Sequence, residues 1–265
     1  MATFNSRTRR AVKGGLSAAI FLCAAGIVFA DEAQNKILAA RIEAEFHRAQ
    51  IQFQSDPNNS TNAWQFARAA SDFADGATND TQRADIASQA IAACRPLIAR
   101  EPKNAAAHYY LAMNLGQLAR TELLGALKLV SEMELEFKTA ADLDAQFDFA
   151  GPERCLGLLY RDAPGWPASI GSKRKAKNFL EQAEKLAPDY PENHLNLAES
   201  DLQWRESDAA KLELAALDSL WPKAQTNLTG AQWEQSWHDW STRRDAVRKK
   251  LDETAVPAKS PKNRQ

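Results

Sequence analysis

Along most of the chain, apolar side chains recur every three or four positions, the period of a helix with one buried face. Ile37, Ile42, Phe46 and Ile51 predict a helix over 33–54, broken by Asp56-Pro57-Asn58-Asn59. Ser60 is then placed to cap a helix carrying Trp64, Ala67, Ala70 and Phe73, closed by Gly76 and Asn79-Asp80. A third helix over 81–100 sets Ile86, Ala90, Cys94 and Leu97 on one face, and the turn Glu101-Pro102-Lys103-Asn104 leads to a fourth with Tyr110, Leu111, Leu115 and Leu118. Leu123 to Phe149 reads as one long broken helix or two. Gly151-Pro152 stops it, and Pro152 suits the first turn of the next helix, through Leu159. A loop over 162–172 precedes Ser172, a cap for a helix to Leu186. Helices over 191–204 and 208–219 follow, then a break at Trp221-Pro222. Thr229 with Gln232 forms a capping-box pattern opening the last helix.

Composition agrees with that pattern. The 265 residues include 49 Ala and 27 Leu against 5 Val and 9 Ile. Strands draw on β-branched residues, whereas Ala and Leu enter helices at little cost, so a sizeable sheet is excluded. An internal register adds order to the helices. Ala90, Cys94, Leu97 and Pro102 recur 86 residues later as Ala176, Leu180, Ala183 and Pro188. His108, Leu111 and Ala112 recur as His194, Leu197 and Ala198 at the same offset. The small residue admits a neighbouring helix, the larger ones fill the groove, and proline ends the unit. These spacings resemble the tetratricopeptide repeat in degenerate form, with His108 and His194 where a tryptophan is usual and Trp64 holding that role in an earlier unit. The expected fold is all-α, an αα-superhelix of tetratricopeptide-type helix pairs. Trp233, Trp237, Trp240, Val247 and Leu251 form one stripe, which suits either a C-terminal capping helix or a subunit interface.

Charge bears on destination and partners. Arg7, Arg9, Arg10 and Lys13 precede a charge-free apolar stretch from Leu16 to Phe29, the layout of a secretory signal peptide cleaved after Ala30. That gives a signal peptide over 1–30, a helical repeat domain over 31–254 and a disordered tail over 255–265, with no stable membrane span after cleavage. The localisation expected is periplasmic or secreted. Losing four cations and no acids takes the net charge from −1 to −5, which argues against nucleic acid as a partner. Cys94 and Cys155 would then meet an oxidising compartment, as a disulfide or, on the blander reading, as two small buried side chains. The four histidines show no metal-site spacing and no nucleophile motif occurs, so no catalytic residue, metal or cofactor is assigned.

One stretch narrows function further. Gly151-Pro152-Glu153-Arg154-Cys155-Leu156-Gly157, then Pro164-Gly165-Trp166-Pro167, then Ala187-Pro188-Asp189-Tyr190-Pro191-Glu192-Asn193 resemble the T-component family of tripartite ATP-independent periplasmic transporters over about 80–220. The resemblance implies a non-enzymatic accessory protein that engages a periplasmic solute-binding protein, with a small hydrophobic or anionic ligand and homo-oligomers as further expectations. The alternative is a general envelope interaction scaffold. Six residues are candidates for ligand or partner binding: Tyr110, Arg154, Tyr160, Trp166, Lys173 and Arg174. Tyr109 and Tyr110 are adjacent, so one is expected to pack and the other to line an exposed or concave surface. Lys173 and Arg174 open a helix with two further cations, pointing to an anionic partner or, on the blander reading, to pairing with carboxylates of an adjacent repeat or to solvation. A through-going cavity lined by Tyr110, Tyr160 and Trp166 would favour ligand handling over a plain scaffold.

Overall fold

The computed structural model describes residues 32–122 and 125–255, and side chains from 36 to 254 within them. The signal-peptide segment, Cys23 and all of the expected tail beyond Ala255 lie outside the described residues. Two compact units divide at Ala187 and Pro188. The first holds α1 (Glu32–Ser55), α2 (Ser60–Asp75), α3 (Asp80–Arg100), α4 (Ala105–Ala119), α5 (Ala126–Leu143), α6 (Phe147–Asp162) and α7 (Lys173–Leu186). The second holds α8 (Pro191–Gln203), α9 (Ser207–Asn227), a short 3₁₀ turn (Ala231–Trp233) and α10 (Glu234–Ala255). No strand occurs among the described residues, and the all-α chain of helix pairs expected from the sequence is what forms.

Asparagine opens three of the helices. Asn59, Asn79 and Asn104 each accept a backbone N–H three residues on, from Asn62, Gln82 and Ala107. Such a cap satisfies one of the amides a helix start leaves unpaired. Ser60 therefore is not the cap of α2; its hydroxyl bonds Glu101 instead. Ser172 does cap α7, accepting from the Lys175 amide.

In the first unit each helix packs on the next, and α4 also touches α2 and α6. The repeat register sits at these contacts. Ala90, Cys94 and Leu97 of α3, and Ala176, Leu180 and Ala183 of α7, are all fully buried. The two histidines at equivalent positions make equivalent contacts. His108 Nε2 lies 3.0 Å from the Pro102 carbonyl and Nδ1 2.5 Å from Glu136. His194 places Nε2 2.9 Å from the Pro188 carbonyl and Nδ1 3.0 Å from Glu213. A carbonyl only accepts, so Nε2 donates in both. Each histidine thus ties the turn before its helix to the helix after it, a side-chain latch and not a metal ligand.

In the second unit α10 lies against α8 and α9. Trp240 is buried against Trp237 at 5.0 Å and Tyr190 at 5.3 Å between ring centroids, while Trp237 donates to the Leu228 carbonyl. The tryptophan stripe therefore packs within its own unit. Two local expectations change here. Helix α9 runs through Pro222 to Asn227, because Trp221 packs on Trp237 and under Arg244, and those contacts hold the helix past a residue that lacks an N–H. Gln232 donates to the Thr229 carbonyl in place of accepting from its amide, and a 3₁₀ turn stands where the capping box was expected.

Candidate partner-binding face

Trp64, Arg68 and Asp72 stand at i, i+4 and i+8 on α2, and so share one face. Beside them α4 contributes Tyr109 and Tyr110, and α6 contributes its first residues. Those residues are unusual. Asp148, Phe149 and Ala150 have φ of 50°, 55° and 63°, a left-handed turn made without glycine. Left-handed backbone costs an L-residue roughly 1–2 kcal/mol, so three in succession need support. Arg154 supplies it. Its guanidinium is buried and donates to the carbonyls of Phe149 at 3.0 Å and Asp148 at 3.3 Å. Gly151 follows the turn because a Cβ there would lie 2.8 Å from the Tyr109 hydroxyl. Gly157, six residues on, lets α7 approach; its Cβ would lie 2.6 Å from Leu180. The Gly-Pro-x-Arg-x-x-Gly element is thus the scaffold of this corner.

The turn inserts Phe147 against both tyrosines, at 5.4 Å from Tyr109 and 6.0 Å from Tyr110. Tyr110 also stacks on Trp64, 5.9 Å away and nearly parallel. Both tyrosines are consequently buried, and neither lines an open surface as one was expected to. Tyr109 donates to Asp148 at 2.9 Å, and burial beside Cys155 and Asp148 holds its hydroxyl protonated well above its ordinary range. Burial, with Asp148 adding to it, does the same to Tyr110.

The charged groups above this aromatic floor are less satisfied. Arg68 and Asp72 are both exposed, and among the described residues neither makes a hydrogen bond or an ion pair. Asp72 is accessible to solvent yet surrounded by protein on most sides. That surrounding desolvates it and, with Asp148 and Asp75 nearby, pushes its carboxyl up to about 6 against the pull of Arg68. Partial desolvation disfavours charge on Arg68, but Tyr110, Asp72, Asp148 and Tyr109 outweigh it and raise its pKa. The face therefore presents a donor fork and an acceptor, both unengaged, over packed aromatic rings. It offers recognition and no evident bond chemistry.

The sequence candidates fall into two groups. Tyr110 and Arg154 belong to this corner, but as its floor and its brace. Tyr160 is buried elsewhere, its hydroxyl donating to Glu134 and its ring stacked on Phe179 at 5.5 Å. Lys175 lies 4.7 Å from the Tyr160 ring centroid. Trp166 is 88% exposed at a loop tip, with Lys173 and Arg174 exposed at the start of α7. Tyr110, Tyr160 and Trp166 hence share no cavity. Cys94 and Cys155 are free and buried, so the disulfide reading gives way to the packing one. Arg68, Asp72 and Asp148 were missed in the sequence; the four-residue spacing from Trp64 was the available signal.

The family described as Regulator of microtubule dynamics protein 1-3 matches residues 30–145. No curated protein matches the chain. Among solved structures, a thermophilic TPR protein of Thermus thermophilus superposes with a TM-score of 0.57 at 19% identity, covering 81% of this chain and 93% of its own. MamA is similar at a TM-score of 0.48 and 14% identity, over 74% and 98% of the two chains. The helix pairs, the repeat register and the first of these likenesses together make this a tetratricopeptide-type fold.

Proposed function

We propose that the chain is a non-enzymatic interaction scaffold that takes a segment of a partner protein on the face built by α2, α4 and the left-handed turn of α6. The observation that carries this reading is the pair Arg68 and Asp72 beside Trp64, accessible and, among the described residues, without a hydrogen bond or ion pair. A peptide segment supplies both an acceptor for the guanidinium and a donor for the carboxylate. The strained turn below them supports the reading as well, since such backbone tends to persist where function holds it.

The finer reading is an exported accessory protein of the T-component kind, with a periplasmic solute-binding protein as the partner. Its support is the N-terminal address and the motif resemblance, whose Gly151 and Arg154 shape this corner. A photo-crosslinking amino acid at position 65, an exposed site on α2 three residues before Arg68, with position 135 on α5 as the control, tests both readings in the producing cells. Leu135 is also exposed. Cross-links to one polypeptide from 65 and none from 135 are expected. A solute-binding protein in the adduct supports the finer reading, and any other envelope protein supports the general scaffold alone. Equal yields from both positions would contradict the face.

A further inference from the structure

Three carboxylates lie around the partner face, and two of them are answered within the chain. Asp75 of α2 accepts from Arg120 at 2.7 Å. Asp148 of the left-handed turn accepts from the Tyr109 hydroxyl at 2.9 Å and from Arg154 at 3.4 Å. Asp72 is the third. It is exposed on α2 and, among the described residues, makes no hydrogen bond or ion pair. Arg68 stands one turn before it, yet the two form no ion pair. On a helix the favoured order sets the acid four residues before the base, and here that order is reversed.

Neighbouring carboxylates resist joint ionisation, and the one without a donor is the one that takes a proton most readily. Here that is Asp72, which is also the one open to a partner. Desolvation acts on it first, Arg68 opposes, and Asp148 and Asp75 add to the effect, so its carboxyl is pushed up to about 6. The other groups around it keep their charge. From α4, Tyr109 and Tyr110 are held protonated. Arg120 of α4 is engaged by Asp75, Arg83 of α3 donates to the Ala74 carbonyl at 3.2 Å, and Arg154 of α6 braces the turn. From α1, His47 lies against Phe73, the next residue along α2. Asparagine at position 72 separates the carboxyl from that imidazole.

We propose that the partner face releases its bound segment in acid through protonation of Asp72, an inference that rests on that face being the binding site. A segment that donates to Asp72 needs the ionised carboxylate, which only accepts; the acid form presents an O–H and no charge. Affinity should therefore be full above the carboxyl's own range and fall below it. The full chain with the photo-crosslinking amino acid at position 65 is irradiated in extract of the producing cells at pH 5.0, 6.0 and 7.5, far from saturation. Adduct to the one polypeptide should be about tenfold lower at pH 5.0 than at pH 7.5, with a midpoint near 6. In Asp72→Asn the yields at the two extremes should agree within about twofold, because the amide does not titrate. Carboxyl ¹³C NMR of the full chain, with the Asp72 resonance identified by its loss in Asp72→Asn, should show the same midpoint as the adduct. That match decides the matter if Asp72→Asn gives no adduct at all. Flat yields from the parent overturn the proposal and leave the face standing. An equal acid loss in Asp72→Asn, or an Asp72 midpoint below pH 5, also overturns it. Absence of adduct at every pH overturns the face and the proposal together.

Discussion

Helices α4 and α8 are related by the 86-residue register, yet their outer faces meet different ends. On α8 the chain covers its own face. Arg243 of α10 is buried there, donating to Glu199 at 2.8 and 2.9 Å and to Asn196 at 2.6 Å, with Glu192 3.7 Å away and Asp239 bonded at 3.1 Å. The positions matching Glu192, Asn196 and Glu199 on α4 are Ala106, Tyr110 and Met113. These are uncharged and need no such partner. Phe147 covers Tyr110, and the charges fall on α2, where they feel one another but make no hydrogen bond or ion pair among the described residues. One arginine, Arg243, thus completes a unit, while the other, Arg68, is left over. The same helical scaffold yields a closed end or an open face depending on whether its polar groups are answered from within.

Breaking the closed end should have the largest effect. Arg243→Ala strands Glu199, Glu192 and Asp239 in partial burial, and Asp239 already has its carboxyl pushed up to about 6 by desolvation. Removing one partner from a buried ionic network costs about 3–5 kcal/mol. Urea unfolding should show a loss of that order, and a loss below about 1 kcal/mol would mean the network is not holding α10 in place.

Glu153 on α6 gives a smaller effect of opposite sign. It is buried, its Oε2 has no hydrogen-bond partner among the described residues, and desolvation with Asp142 and Asp144 nearby pushes its carboxyl up from 4.5 to about 7. The folded chain therefore holds this proton more tightly than the unfolded chain. Its stability is highest when Glu153 is protonated and falls as pH rises from about 4.5 through 7. Glu153→Gln removes the charge and keeps the shape. The variant should match the parent at pH 4 and exceed it by about 2 kcal/mol at pH 8, as read by denaturant midpoints at the two pH values.

That sensitivity was hidden in a motif legible for other reasons. The helix order, the 86-residue register and the matching histidines followed from periodicity, because small and large apolar residues at fixed spacing admit one kind of packing. Gly151, Arg154 and Gly157 stood out as a motif, but their work could not be read. No sequence rule places Asp148, Phe149 and Ala150 in left-handed backbone, and once they are, Arg154 turns inward and Tyr110 is covered. Pro222 failed as a breaker because contacts from α10 outweigh a local preference. Arg68 and Asp72 passed unnoticed because two charges on a helix ordinarily read as solvated surface. Only the protein surrounding Asp72 sets them apart.

The sharpest test is the double variant Arg68→Ala with Asp72→Ala, read for stability and for partner capture from the producing cells. Groups that make no hydrogen bond or ion pair among the described residues should not destabilise the fold when removed, and loss of the desolvated Asp72 carboxylate should if anything raise stability at neutral pH. The open-face account predicts undiminished stability together with loss of the partner that cross-links at position 65. Full capture by the double variant, or a stability loss comparable to that of Arg243→Ala, would contradict it.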